Sequence, residues 1–146
     1  MPVDLRTAGF DPYAELRHYQ TEMLGHAGKY GATCSFVGTM RDFNEDETVR
    51  GMFLDHYPGM TEKQLGKIVE EARSRWRFLD ALVIHRVGEI FPDQPIVLVA
   101  VWSSHRGAAF DACRHIMEEL KARAPFWKKE TLARGERWVA KNTGGY

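Results

Sequence analysis

Three short segments of this 146-residue chain combine residue types that can hold an anion and move a proton. The first is Ser103-Ser104-His105-Arg106, which follows the most apolar stretch and opens a helical pattern. A helix N-terminus carries partial positive charge and free N–H groups, so it favours an anion. His105 and Arg106 add charge that the helix itself disfavours there, whereas Ser104 alone would be an ordinary N-cap. The second segment is Lys121-Ala-Arg-Ala-Pro-Phe-Trp-Lys128-Lys129-Glu130. Packed aromatics at Phe126 and Trp127 would hold Lys128 and Lys129 near a wall. A lysine beside apolar groups and other cations loses basicity and can serve as acid or base near neutral pH. The third is Gly38-Thr39-Met40-Arg41-Asp42-Phe43-Asn44, a strand end entering a polar loop. Arg41 could grip a phosphate with two parallel hydrogen bonds, although alone it would read as a surface arginine in a turn.

Other chemistries lack their residues. The chain has no Gly-x-x-x-x-Gly-Lys phosphate loop, no Gly-x-Gly-x-x-Gly signature and no Gly-x-Ser-x-Gly elbow. Cys34 and Cys113 do not form a metal-ligand spacing, and each sits among apolar neighbours, so two reduced, buried thiols are expected. His85-Arg86 reads as a satisfied pair closing a strand. The tail Gly144-Gly145-Tyr146 resembles carrier proteins ending in Gly-Gly, but Tyr146 blocks the terminal glycine carboxylate; the tail, from about residue 140, reads as flexible.

The elements that must position these groups follow from periodicity. Asp11-Pro12 is an N-cap with a first-turn proline, predicting a helix to about Leu24 that stops at Gly25. Gly31 to Gly38 and Val49 to His56 read as strands, with Arg41 to Thr48 as a loop between them. Thr61 with Gln64 fits a capping box, and Leu65, Ile68, Val69, Ala72 and Trp76 then recur at helical spacing. Leu82 to Ile84 and Ile96 to Trp102 are apolar runs suited to buried strands, joined by a turn at Phe91 to Pro95. Phe110, Cys113, Met117 and Leu120 mark a helix from about Arg106 to Ala122, ended by Pro125. Phe126 to Val139 reads as two short strands around Arg134-Gly135. The order is α+β: an antiparallel sheet with packed helices, in a single domain spanning residues 1–146.

Composition limits the function classes. Hydrophobic residues make up 44% of the chain, enough for a globular core, and no apolar run is long enough to span a membrane. The N-terminus lacks a secretory pattern, so a cytoplasmic setting is expected. Twenty basic and 20 acidic residues cancel, which argues against a general polyanion binder. The balance is uneven: residues 1–100 hold 11 Lys/Arg and 15 Asp/Glu, and residues 101–146 hold 9 and 5. A small anion would therefore be drawn to the last third. An RNA-binding domain stacking bases on Phe36, Phe53 and Trp102 is a competing reading that the zero net charge disfavours.

From about Gly31 to Val139 the chain resembles the catalytic (large) subunit family of molybdopterin synthase. The matching stretches are Phe36-Val-Gly-x-x-Arg41 with Asn44, His56-Tyr-Pro-Gly-Met60, Glu71-Ala-Arg with Trp76, and Ile84-His-Arg-x-Gly88. They continue with Val101-x-Ser-x-His-Arg106, Ala109-Phe110, Leu120-Lys121, Ala124-Pro-Phe-Trp-Lys-Lys-Glu130 and Gly135-x-x-Trp-Val139. The resemblance implies an α/β-hammerhead fold and a homodimer that forms the core of a heterotetramer. A small ubiquitin-like sulfur-carrier subunit would bind at each end, its C-terminal Gly-Gly thiocarboxylate entering a pocket. The substrate would be cyclic pyranopterin monophosphate, converted to molybdopterin by transfer of two sulfurs, with no metal, cofactor, nucleic acid or membrane involved. Carried over by position, Lys121 and Lys128 would be catalytic. Arg41, His105 and Arg106 would bind the phosphate and pterin, and Thr39, Met40, Lys129 and Glu130 would line the pocket. Two departures stand out: the acidic loop Asn44 to Thr48 lacks the family's frequent glycine, and the tail after Trp138 is short, with Lys141 its one basic residue. The alternative is a non-catalytic module that only docks the carrier. It would have no need for both lysines and the arginine in one pocket.

Overall fold

The computed structural model describes residues 2–44 and 47–139; the flexible tail expected from about residue 140, with Lys141, and part of the acidic loop lie outside them. The architecture is α+β, with two sheets. The first has the order β1-β5-β7-β2, formed by Val3–Arg6, Asp80–Arg86, Pro95–Ser103 and Ala32–Thr39. It is antiparallel except for β1, which runs parallel to β5. The strand β1 carries too few residues to show a period in the sequence.

The apolar run in β7 has a direct cause: both faces of this strand are covered. Val97, Val99 and Val101 meet the apolar faces of α2 (Met60–Trp76) and α3 (Arg106–Arg123). Leu98, Ala100 and Trp102 meet Leu24 and side chains of α1 (Pro12–His18) on the other side. A π-helical turn at Tyr19–Met23 prolongs α1, and Asp11 caps it by accepting from the Tyr13 and Ala14 N–H groups. That turn sets Tyr19 and Gln20 against Trp102: the Tyr19 ring lies 5.3 Å away and Gln20 accepts the indole N–H at 3.0 Å. Trp102 is fully buried, so it offers no face for stacking a base.

The second sheet has the order β3-β4-β8-β9, from Phe43–Asn44, Glu47–His56, Phe126–Leu132 and Gly135–Trp138, with β6 (Gly88–Ile90) also paired to β4. The short β3 and β6 occupy segments that the sequence pattern leaves as loop. Ile96 and Phe126 pack against the cores of both sheets and join them. The helix α2 begins two residues before the position that a cap at Thr61 would give. Its N-cap is Gly59, whose N–H is accepted by Glu62 at 3.3 Å, so the pair Thr61 and Gln64 does not form the capping box. Thr61 is instead completely buried, accepting from the Tyr57 N–H and donating to the Pro125 carbonyl. Among the described residues no helix is long and apolar enough to cross a membrane.

Candidate active site

Three elements converge where the two sheets meet. β2 ends at Thr39 and leads into Met40 and Arg41, α3 delivers Lys121 near its C-terminus, and β8 delivers Lys128 and Glu130. A bulge opposite Ile96 turns the end of β2: Gly38 pairs with Val97 but Thr39 pairs with Pro95. Gly38 suits this approach, since a Cβ there would come within 2.8 Å of Val97 Cγ1. Met40 then buries its side chain in the second core and exchanges backbone hydrogen bonds with Asp93 and Gln94. Arg41 is left exposed at the rim, its guanidinium 4.9 Å from the Phe43 ring centroid.

One cavity is lined by Thr39, Met40, Arg41, Lys121, Lys128 and Glu130 together. Six of the nine residues singled out from the sequence therefore share one space. Burial is the main cause that pushes the Lys121 ammonium down to about 8; Lys128 and then Arg41 add to it. Glu130 is buried and fully engaged: it accepts from the Asn44 amide at 3.1 Å and from Arg137 Nε at 2.9 Å. Arg137 also donates to the Asn44 carbonyl. This carboxylate fastens β3 and β9 to β8 and so closes one wall of the cavity.

Three expected residues lie elsewhere in the chain. Lys129 alternates to the opposite face of β8 from Lys128 and Glu130. There it meets Glu136 at 3.4 Å and the Trp138 ring at 5.6 Å, and lines a different groove with Phe53 and Phe91. His105 and Arg106 are exposed at the N-terminal end of α3. Fifteen residues of helix separate Arg106 from Lys121, about 22 Å at 1.5 Å per residue. His105 is the N-cap without a side-chain capping bond, while Ser104 donates to the Lys29 carbonyl.

His85 is a site neighbour that sequence reasoning set aside. It is buried, stacked on Phe126 with ring centroids 4.2 Å apart, and its Nδ1 lies 2.7 Å from the Arg86 carbonyl oxygen. Burial pushes the imidazole down to about 4, with Lys121 and Lys128 contributing. The strand-end reading holds for its hydrogen bond but not for Arg86, whose buried Nε and Nη1 find no hydrogen-bond partner among the described residues. The motif Ile84-His85-Arg86 was visible, but nothing in its spacing places it beside a lysine 36 positions later. Cys34 and Cys113 are free thiols on facing elements, the first half-buried rather than buried. Among the described residues, no three His, Cys, Asp or Glu side chains converge as metal ligands.

The arrangement suits an anionic substrate that needs proton transfer: a guanidinium at the rim, two lysines inside, and one of them partly neutral near physiological pH. A family model described as MoaE protein matches residues 11–123. The molybdopterin synthase catalytic subunit of Pseudomonas aeruginosa is 52% identical over 139 residues, covering 95% of this chain and 90% of that one. Among solved structures, the molybdopterin biosynthesis MoaE protein from Burkholderia ambifaria is similar with a TM-score of 0.79 and 46% identity, covering 98% of this chain and 92% of that one. The molybdopterin synthase from Staphylococcus aureus is similar with a TM-score of 0.84 at 26% identity, covering 96% and 98%.

Proposed function

Because this chain belongs to the MoaE protein family, whose relatives are molybdopterin synthase catalytic subunits, we propose that its lysine cavity is the sulfur-transfer site of molybdenum cofactor synthesis. The substrate is cyclic pyranopterin monophosphate. The donor is the C-terminal thiocarboxylate of a small ubiquitin-like sulfur carrier, two of which serve each molybdopterin. The observation that carries this reading is Lys121, Lys128 and Arg41 around one cavity, with Lys121 pushed down to about 8.

In the proposed chemistry the thiocarboxylate sulfur attacks a side-chain carbon of the pyranopterin. The cyclic phosphate opens, and negative charge develops on its oxygen. Arg41 meets that charge from the rim. Lys121 delivers or accepts the proton at the reacting centre, because both of its protonation states are populated near neutral pH. Lys128 assists and holds the substrate. Water then releases the spent carrier as a carboxylate. Thr39 and Met40 shape the wall, and Glu130 keeps it in place through Asn44 and Arg137.

His105 and Arg106 can serve this site only from a second copy of the chain, which fits the homodimer that the family resemblance implies. A cytoplasmic setting accords with the two free thiols.

Reconstitution with thiocarboxylated carrier and cyclic pyranopterin monophosphate tests the reading, with dithiolene formation as the signal. Product is expected from the native chain, and Lys121→Ala should lower it by about 100-fold or more while carrier binding persists. Near-normal turnover by Lys121→Ala would overturn the assignment. Carrier binding by the native chain without any product would favour the docking-module alternative.

A further inference from the structure

The sulfur-transfer scheme leaves His85 without a task, yet the ring lies between two cavities that both contain Lys121. One is shared with Leu54, Phe126 and Lys128, the other with Thr39, Arg41 and Glu118. The ring is fixed from three directions. Its strand β5 is held by β1 and β7, with His85 opposite Leu5 and Val97. Its plane lies 17° from that of Phe126. Its Nδ1 is in hydrogen-bonding contact with the Arg86 carbonyl. A carbonyl oxygen can only accept, so Nδ1 must carry the proton, and in the neutral ring Nε2 is left as a bare acceptor.

The surroundings keep that ring neutral. Lys121 and Glu118 approach from α3, Lys128 from β8 and Arg41 from the end of β2. Glu130 is committed to Asn44 and Arg137. A second proton on the ring would add a buried cation beside Lys121 and Lys128, so imidazolium does not form near neutral pH. An uncharged acceptor is the one kind of group that can touch a lysine in this cluster without either repelling it or locking it as an ion pair.

We propose that His85 is a positioning residue for Lys121: a neutral imidazole of one tautomer whose Nε2 accepts a hydrogen bond from the Lys121 ammonium and fixes where the amine sits in the cavity. Lys121 is the first of the two lysines whose charge the ring feels, and it shares both cavities with it. The acceptor stabilises the charged amine and so offsets part of what burial does to it. The effect on turnover rests on the sulfur-transfer reading; the titration of Lys121 does not.

The test follows the Lys121 side-chain NMR titration in the free chain, then the pH profile of dithiolene formation. His85→Phe keeps a ring against Phe126 and removes the acceptor, whereas His85→Gln keeps an acceptor. In His85→Phe the Lys121 midpoint is expected to fall by roughly one pH unit, and the limb of the profile set by Lys121 should move with it. His85→Gln should return both toward native values. Equal midpoints in all three chains, or no recovery in His85→Gln, would overturn the proposal. A native ring with Nε2 protonated, read from its nitrogen shifts, would overturn it as well, even if His85→Phe does not fold. A normal titration pattern with no product from the native chain would overturn the sulfur-transfer reading and leave the His85 contact standing.

Discussion

Lys121 and His85 each place a titratable group where its charged form is disfavoured, and each lowers stability over a definite pH range. The ammonium of Lys121 goes from its ordinary 10.5 down to about 8. Between these values the unfolded chain holds a proton that the folded chain lacks, so stability rises with pH across that window, and the full penalty applies below it. Lys121→Met removes the penalty while filling similar volume. It is expected to raise unfolding stability at pH 7 by roughly 1–3 kcal/mol and to abolish turnover. Denaturant melts of the two chains check this; a destabilised variant would mean that Lys121 is not under strain. For His85 the shift from 6.5 to about 4 makes the unfolded chain the better proton binder as pH falls. Stability should therefore decline between about pH 6.5 and pH 4, and His85→Phe should flatten that decline, as melts across the range would reveal. At this scale the sequence was informative about residue type. The lysines and Arg41 stood out in local motifs, and the family resemblance added Thr39, Met40 and Glu130. His85 was not, since its role depends on a contact between β5 and α3 that no local pattern encodes.

Strand alternation and helix length decide which recognised residues actually meet. Lys128, Lys129 and Glu130 are consecutive, so on a strand they cannot all line one cavity. Reading Phe126 to Val139 as two short strands around Arg134-Gly135 already implied that Lys129 faces away from Lys128, and there it meets Glu136 and Trp138. Helix boundaries were nearly right for α3 because Pro125 marks its end, whereas β3 and β6 were missed because two or three residues cannot display a period. The start of α2 was displaced because Thr61 resembles a cap but serves as a buried strut. Its hydroxyl ties the start of α2 to the turn between α3 and β8, with bonds of 3.0 Å to the Tyr57 nitrogen and 3.2 Å to the Pro125 oxygen. Thr61→Val keeps the shape and removes both bonds, leaving the part-buried Tyr57 N–H and Pro125 carbonyl without these partners. Unfolding stability should fall by about 1–3 kcal/mol. The same turn leads from Lys121 to Lys128, so turnover should also fall more than thermal melting at the assay temperature can explain. A variant that loses stability but keeps full specific activity would mean that the strut does not position the lysines.

Among the described residues, two cationic groupings stand at the two ends of α3, and one cavity cannot hold both. Arg41, Lys121 and Lys128 gather where the sheets join, while His105 and Arg106 stand exposed about 22 Å away along the helix. Residue types announced both groupings in the sequence, but only the folded chain shows how far apart they are. A helix N-terminus flanked by a histidine and an arginine is a poor design for its own sake, since like charges meet there. Its position makes sense if a second copy, related by twofold symmetry, brings that end of α3 to the neighbouring cavity. Mixing two inactive variants separates the possibilities. In a pair formed from Lys121→Ala and Arg106→Ala, a site built across copies would join the intact Lys121 of one to the intact Arg106 of the other. One of the two sites in each mixed pair is then native, and the other carries both substitutions. Random exchange makes half of the pairs mixed, so roughly a quarter of native turnover should reappear on mixing. If Arg106 serves a cavity in its own chain, or serves none, no such recovery follows: in the first case every site stays defective, and in the second Arg106→Ala is active from the start.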